Sequence, residues 1–94
     1  MGQWVKALGI NVYEDCSGGS VNWEVNIPFT DQNKWVSIEV YEDSVSVDLM
    51  EIYKVQDEKA RRVLGETDTR PVISGGFKIP SRVGEAILKS RGAI

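Results

Sequence analysis

A chain of 94 residues with 41% apolar and 27% charged side chains has the make-up of a globular protein, with room for one hydrophobic core. It has no histidine and one cysteine, Cys16, which excludes Ser-His-Asp, Cys-His and histidine-based metal chemistry, an intrachain disulfide and a multi-cysteine metal site. The net charge of −3 conceals an asymmetry: residues 1–53 carry two bases against nine acids, whereas residues 54–94 carry nine bases against five acids, a pattern that fits a basic binding edge on an acidic body, self-association of complementary surfaces, or two merely solvated faces.

At the start of the chain, Met1-Gly2-Gln3-Trp4 has neither the basic opening nor the long apolar stretch of a signal peptide. No apolar run approaches the roughly 20 residues of a spanning helix, so membrane insertion is not expected and a cytoplasmic location is. Leu8, Ile10 and Val12 alternate with Ala7, Gly9 and Asn11, which predicts a first strand. The following run, 14–20, reads as a turn, with Cys16 as a loop thiol. Val21, Trp23, Val25, Ile27 and Phe29 alternate with Asn22, Glu24 and Asn26, the strongest strand pattern in the chain. Trp23 is more simply a core residue than a binding one.

Residues 34–41 and 44–53 predict a hairpin turning at Glu42-Asp43. In that register Val40 faces Val45, Ile38 faces Val47 and Val36 faces Leu49, whereas a slip of one residue sets the valines against Ser and Asp. The opposite side carries Trp35, Ser37, Glu39 and Tyr41 against Met50, Asp48, Ser46 and Ser44. The alternation stops over 55–70, where residues 57–64 fit either two helical turns, with Ala60, Val63 and Leu64 on one side and Gly65 as the stop, or a loop. Residues 70–79 return to β character, with Pro71 and Gly75-Gly76 typical of an edge or bulged strand. Ser81 is a candidate cap for a last helix burying Val83, Ala86 and Ile87 and ending at Gly92; Gly84 weakens it by about 1 kcal/mol relative to alanine. The expected fold is α+β, mostly β: an antiparallel curved sheet of four or five strands with a C-terminal helix, forming a single domain over 1–94. An N-terminal strand and loop span 1–20, the sheet 21–79 and the helix 80–92.

The hairpin Lys34-Trp35-Val36-Ser37-Ile38-Glu39-Val40-Tyr41 and Val45-Ser46-Val47-Asp48-Leu49-Met50-Glu51-Ile52-Tyr53, followed by Arg70-Pro71 and Gly76-Phe77-Lys78-Ile79, resembles the positive cofactor four family of transcriptional coactivators over roughly residues 21–92. The resemblance implies a curved four-stranded sheet, a C-terminal helix that pairs two subunits, and single-stranded nucleic acid bound on the sheet. It implies that Tyr41 replaces a stacking phenylalanine, Tyr53 a tryptophan near the nucleic acid, and Arg70 the basic residue before proline. The family's sheet arginines correspond to Glu39 and Met50 here, and Asp48 adds a negative charge. Parity sets Tyr53 on the opposite face from Tyr41 unless a bulge or twist intervenes.

No phosphate loop, dinucleotide fingerprint or nucleophile elbow is present, and the expectation is a binding protein, not an enzyme, with no metal and no cofactor. The leading reading is a single-stranded DNA- or RNA-binding module, acting in transcription or replication as a homodimer. Its candidate residues are Trp35, Tyr41, Tyr53, Lys54, Lys59, Arg61, Arg62, Arg70 and Lys78, aromatics for stacking and bases for phosphates. The second reading is a small viral or phage protein that modulates a host complex through a protein partner. Against each residue stands a plain alternative: Trp35 and Tyr41 flank a half-exposed sheet, Tyr53 belongs to the core, and the basic residues form a solvated face.

Overall fold

The structure, a computed structural model, describes residues 2–7, 10–26 and 33–94. These residues form an antiparallel meander in which β1 (Gly2–Ala7), β2 (Ile10–Ser17), β3 (Ser20–Asn26), β4 (Lys34–Val40), β5 (Ser44–Lys54) and β6 (Thr67–Lys78) lie side by side in chain order. A short helix α1 (Glu58–Leu64) links β5 to β6, and α2 (Ser81–Ser90) follows the sheet. The class is α+β, mostly β, with six strands among the described residues rather than four or five. No helix of the described residues is long and apolar enough to cross a membrane.

The extra strand arises at the N-terminus. Residues 14–17, read from composition as a turn, continue β2, and the turn narrows to Gly18-Gly19, with Gly19 at φ +89°. The strand tolerates Glu14 and Cys16 because both side chains find partners far along the chain. β2 then runs long enough to pair in full with Gly2–Ala7. Leu8, Gly9, Ile27 and Phe29 lie outside the described residues.

The β4–β5 hairpin has the expected register: Val40 opposite Val45, Ile38 opposite Val47, Val36 opposite Leu49, and Trp35 opposite Met50. β6 is an edge strand, and its irregularity sits at Val72: Leu49 pairs with Ile73 and Met50 with Pro71. The glycine pair, by contrast, stays in register, and Gly76 marks a close approach where a Cβ would lie 2.7 Å from the carbonyl oxygen of Val45.

Along each strand, side chains alternate between two faces. The helix face carries Val21, Trp23, Ile38, Val40, Val47 and Leu49 among others, while the polar face carries Asn22, Glu24, Ser37, Glu39, Ser46 and Asp48. α2 covers one end of the helix face. Its Leu88 joins Val21 and Ala93 in the core, with Cys16 and Trp23 packed against them. The buried positions of α2 are Gly84 and Leu88, while Val83 is 41% exposed, Ala86 is exposed and Ile87 half-buried. The buried side is thus turned by about one residue from the expected one. The reason is Gly84: a Cβ there would collide with the carbonyl oxygens of Glu42 and Tyr41, so the helix backbone rests directly on the β4–β5 turn. Ser81 is the first helical residue and makes no capping bond, Pro80 occupying the cap. Gly92, at φ +78°, ends the helix as expected.

Cys16 is therefore a half-buried strand residue and not a loop thiol. Its Sγ lies 3.6 Å from Glu14 Oε1 and 3.4 Å from the carbonyl oxygen of Arg91. Burial, and then the charge of Glu14, push the thiol up and keep it protonated.

Candidate nucleic-acid interface

The candidate residues divide between two ends and two faces of the sheet. At the end where β4 begins and β5 finishes, Trp35 stands opposite Met50, and alternation sets Met50, Ile52 and Lys54 in a row on the polar face. Trp35 is half-buried, while Ile52 and Lys54 are exposed. At about 3.3 Å per residue, Lys54 lies roughly 13 Å beyond the Trp35–Met50 pair. The chain then enters α1, whose Asp57 accepts a cap bond from the Lys59 N–H at 3.3 Å and whose Gly65, at φ +93°, terminates it.

α1 resolves the alternative over 55–70 in favour of a helix, but its apolar side is not buried: Val63 is 84% and Leu64 51% exposed, and Ala60 alone is half-buried. The helix presents Lys59, Arg61 and Arg62 to solvent. Arg62 pairs with Glu58 at 3.4 Å, and Arg61 donates to the carbonyl oxygen of Gln56 at 3.5 Å. Among the described residues, Lys54 and Lys59 make no ion pair.

Tyr53 and Arg70 share the helix face of this same end. The Arg70 guanidinium lies 4.3 Å above the Tyr53 ring and donates to Glu51 at 2.7 Å, while the Tyr53 hydroxyl donates to Asp68 at 3.5 Å. Tyr53 thus has one ring face covered, and alternation sets it on the opposite face of the sheet from Tyr41 and Trp35. Arg70 is likewise engaged, so this pair contributes to local structure before it contributes to any ligand.

Tyr41 and Lys78 stand at the other end. Tyr41 is 40% exposed beside the β4–β5 turn, six residues from Trp35, a distance of roughly 20 Å. Lys78 pairs with Ser44 across the β5–β6 ladder. Between the two ends, the polar face carries Glu24, Glu39 and Asp48 around Ser37, since Ser37 pairs with both Glu24 and Asp48. Burial, and then the neighbouring Glu39 and Asp48, push the Tyr41 hydroxyl up. A polyanion crossing from Trp35 to Tyr41 would pass over these carboxylates.

The sequence did not single out Gln56, Glu66 or Thr67 at the basic end. Thr67 pairs with Lys54, and Val55 donates its N–H to the Glu66 carbonyl oxygen at 3.0 Å. The β5–β6 register is the signal that joins them, and the bulge at Val72 hides that register from a simple alternation count. Among the described residues, no three acidic or cysteine side chains gather to hold a metal ion.

No family model matches this chain, and no curated protein or solved structure matches it either.

Proposed function

We propose that the chain is a non-catalytic, cytoplasmic protein that binds single-stranded nucleic acid at the α1 end of its sheet and works as a homodimer. One observation carries this reading: Lys54 and Arg61 line one hollow where β5 gives way to α1, and Lys59 and Arg62 are exposed on the same short helix, in a chain whose other half is acidic. Cations supply most nucleic-acid affinity through counterion release, and an aromatic side chain supplies a stacking surface indifferent to sequence. The interface is narrower than the residues first singled out, because Tyr41 and Lys78 lie beyond the acidic centre of the polar face and Tyr53 and Arg70 are engaged with each other.

Support for the dimer comes from the other face. Val47, Ile73, Phe77 and Val83 are 36%, 66%, 58% and 41% exposed, and β6 leaves a long open edge. The radius of gyration is 15.3 Å, against about 12 Å for a close-packed chain of this length. A two-fold pair that covered the bare part of this face would supply the core that one copy lacks.

The test of the interface separates stacking from charge. Replacing Trp35 with alanine is expected to weaken binding of a labelled single-stranded oligonucleotide by about 1 to 3 kcal/mol and to leave its salt dependence intact. Replacing Arg61 and Arg62 with glutamine is expected to flatten that dependence by roughly 0.7 for each phosphate no longer neutralised. Circular dichroism checks that both variants fold. Parent-like binding by both would overturn the interface.

The acidic centre, Glu24, Glu39 and Asp48, favours a second reading, in which the polar face engages a basic protein surface. In that case charge removal at Arg61 and Arg62 leaves partner binding unchanged, and neutralising Glu39 and Asp48 abolishes it.

A further inference from the structure

A hollow of about 220 Å³ opens where β5 ends, α1 passes and β6 begins. Its lining residues are the basic Lys54 and Arg61, the polar Gln56 and Thr67, the acidic Glu66 and the buried Val55, 6% exposed. The bond from the Val55 N–H to the Glu66 carbonyl oxygen, 3.0 Å, ties together the two chain segments that frame it. The hydrogen bond from Arg61 to the Gln56 carbonyl oxygen, at 3.5 Å, holds its guanidinium beside the same segment.

We propose that this hollow seats a terminal phosphate of the bound strand, an inference that rests on the nucleic-acid reading above. Three features point to it. The volume lies below the roughly 300 to 1,000 Å³ of ordinary small-molecule sites, so it suits a group and not a whole nucleotide. Its framing segments are joined to each other by the Val55–Glu66 backbone bond, which holds the segment carrying Arg61 against the end of β5 that carries Lys54. A phosphomonoester carries about −1.5 to −2 charges near neutral pH, against one for an internal diester, so it gains more from the two basic residues, Lys54 and Arg61, that line one small space. Lys59 and Arg62, which do not line the hollow, are left for internal phosphates. Glu66 opposes an anion and sets a ceiling on the affinity, which gives the site a second handle.

The experiment compares three otherwise identical labelled single strands by fluorescence anisotropy: one ending in a 5′-phosphate, one in a 3′-phosphate and one with hydroxyls at both ends. One phosphorylated strand is expected to bind about tenfold more tightly than the hydroxyl strand, the scale of one charge-assisted hydrogen bond. Arg61→Gln is expected to collapse that ratio towards one, Glu66→Gln to widen it, and Arg82→Gln, on α2 and outside the hollow, to preserve it. Inorganic phosphate is expected to compete away the preference while binding of the hydroxyl strand persists. If all three strands bind equally, with affinity that falls with salt, the hollow is not a phosphate seat although the interface stands. A preference that survives Arg61→Gln also overturns the hollow. Failure of every strand to bind removes both.

Discussion

Glu14 is 1% exposed, yet it is the most heavily partnered side chain among the described residues. Arg91 donates to its carboxylate through Nε at 2.9 Å and Nη2 at 2.7 Å, the Trp23 indole donates at 2.7 Å, and Gln3 at 3.4 Å. The Arg91 hydrogen bonds, opposed by burial and assisted by Trp23 and Gln3, lower the carboxyl from 4.5 to about 2. Because the folded value is the lower one, the linked stability is present above about pH 4.5 and is lost as pH falls towards about 2, an effect of about 3 kcal/mol. Urea denaturation across that window is the measurement, and a flat profile would contradict the pairing. Arg91→Ala, which strands the carboxylate, is expected to cost about 3 kcal/mol or more at neutral pH, whereas replacing Glu14 and Arg91 together by Leu and Met recovers most of the loss. Nothing in the linear pattern reveals this pair: the partners are 77 residues apart, and an acid between Tyr13 and Asp15 reads as a solvent-facing turn until Arg91 is brought over it.

At the scale of elements, legibility follows the physics of pairing. The β4–β5 hairpin could be read in full because three apolar pairs, Val36–Leu49, Ile38–Val47 and Val40–Val45, all lose their partners on a one-residue slip. The N-terminal strands were harder, since the face of β2 that includes Glu14 and Cys16 is held by polar contacts as well as by the hydrophobic effect. α2 shows the same limit from another side. Its apolar pattern announced a helix but not which side packs, because the deciding feature is the absence of a side chain at Gly84. Gly84→Ala tests this. Helix propensity alone raises stability by about 1 kcal/mol, but the new methyl would press on the Glu42 and Tyr41 carbonyls, and overpacking of this kind costs about 1 to 3 kcal/mol. The variant is expected to be no more stable than the parent and up to about 2 kcal/mol less stable. A clear rise in its denaturation midpoint would show that the helix does not sit on the turn.

For the whole molecule, the change of sign along the chain does not map onto one end of the sheet: Lys78, Arg82, Lys89 and Arg91 lie away from α1, where Asp57, Glu58 and Glu66 accompany Lys54, Lys59, Arg61 and Arg62. Lys54, Arg61 and Thr67 meet through a β5–β6 register that the Val72 irregularity conceals, and Tyr53 is separated from Trp35 by strand parity. The bare apolar surface at Val47, Ile73 and Phe77 leads to an expected dimer of about twice the 10.5 kDa chain mass. Light scattering at tens of micromolar that finds only the monomer would contradict that pairing, and Ile73→Lys is expected to shift a dimer towards monomer. The central claim, binding of single-stranded nucleic acid at the α1 end, is tested most directly by titrating a labelled single strand into the unmodified protein over a series of salt concentrations. The account predicts saturable binding whose affinity falls as salt rises, with a logarithmic slope of about 0.7 for each phosphate engaged. Absence of binding at low salt, or binding indifferent to salt, would contradict it.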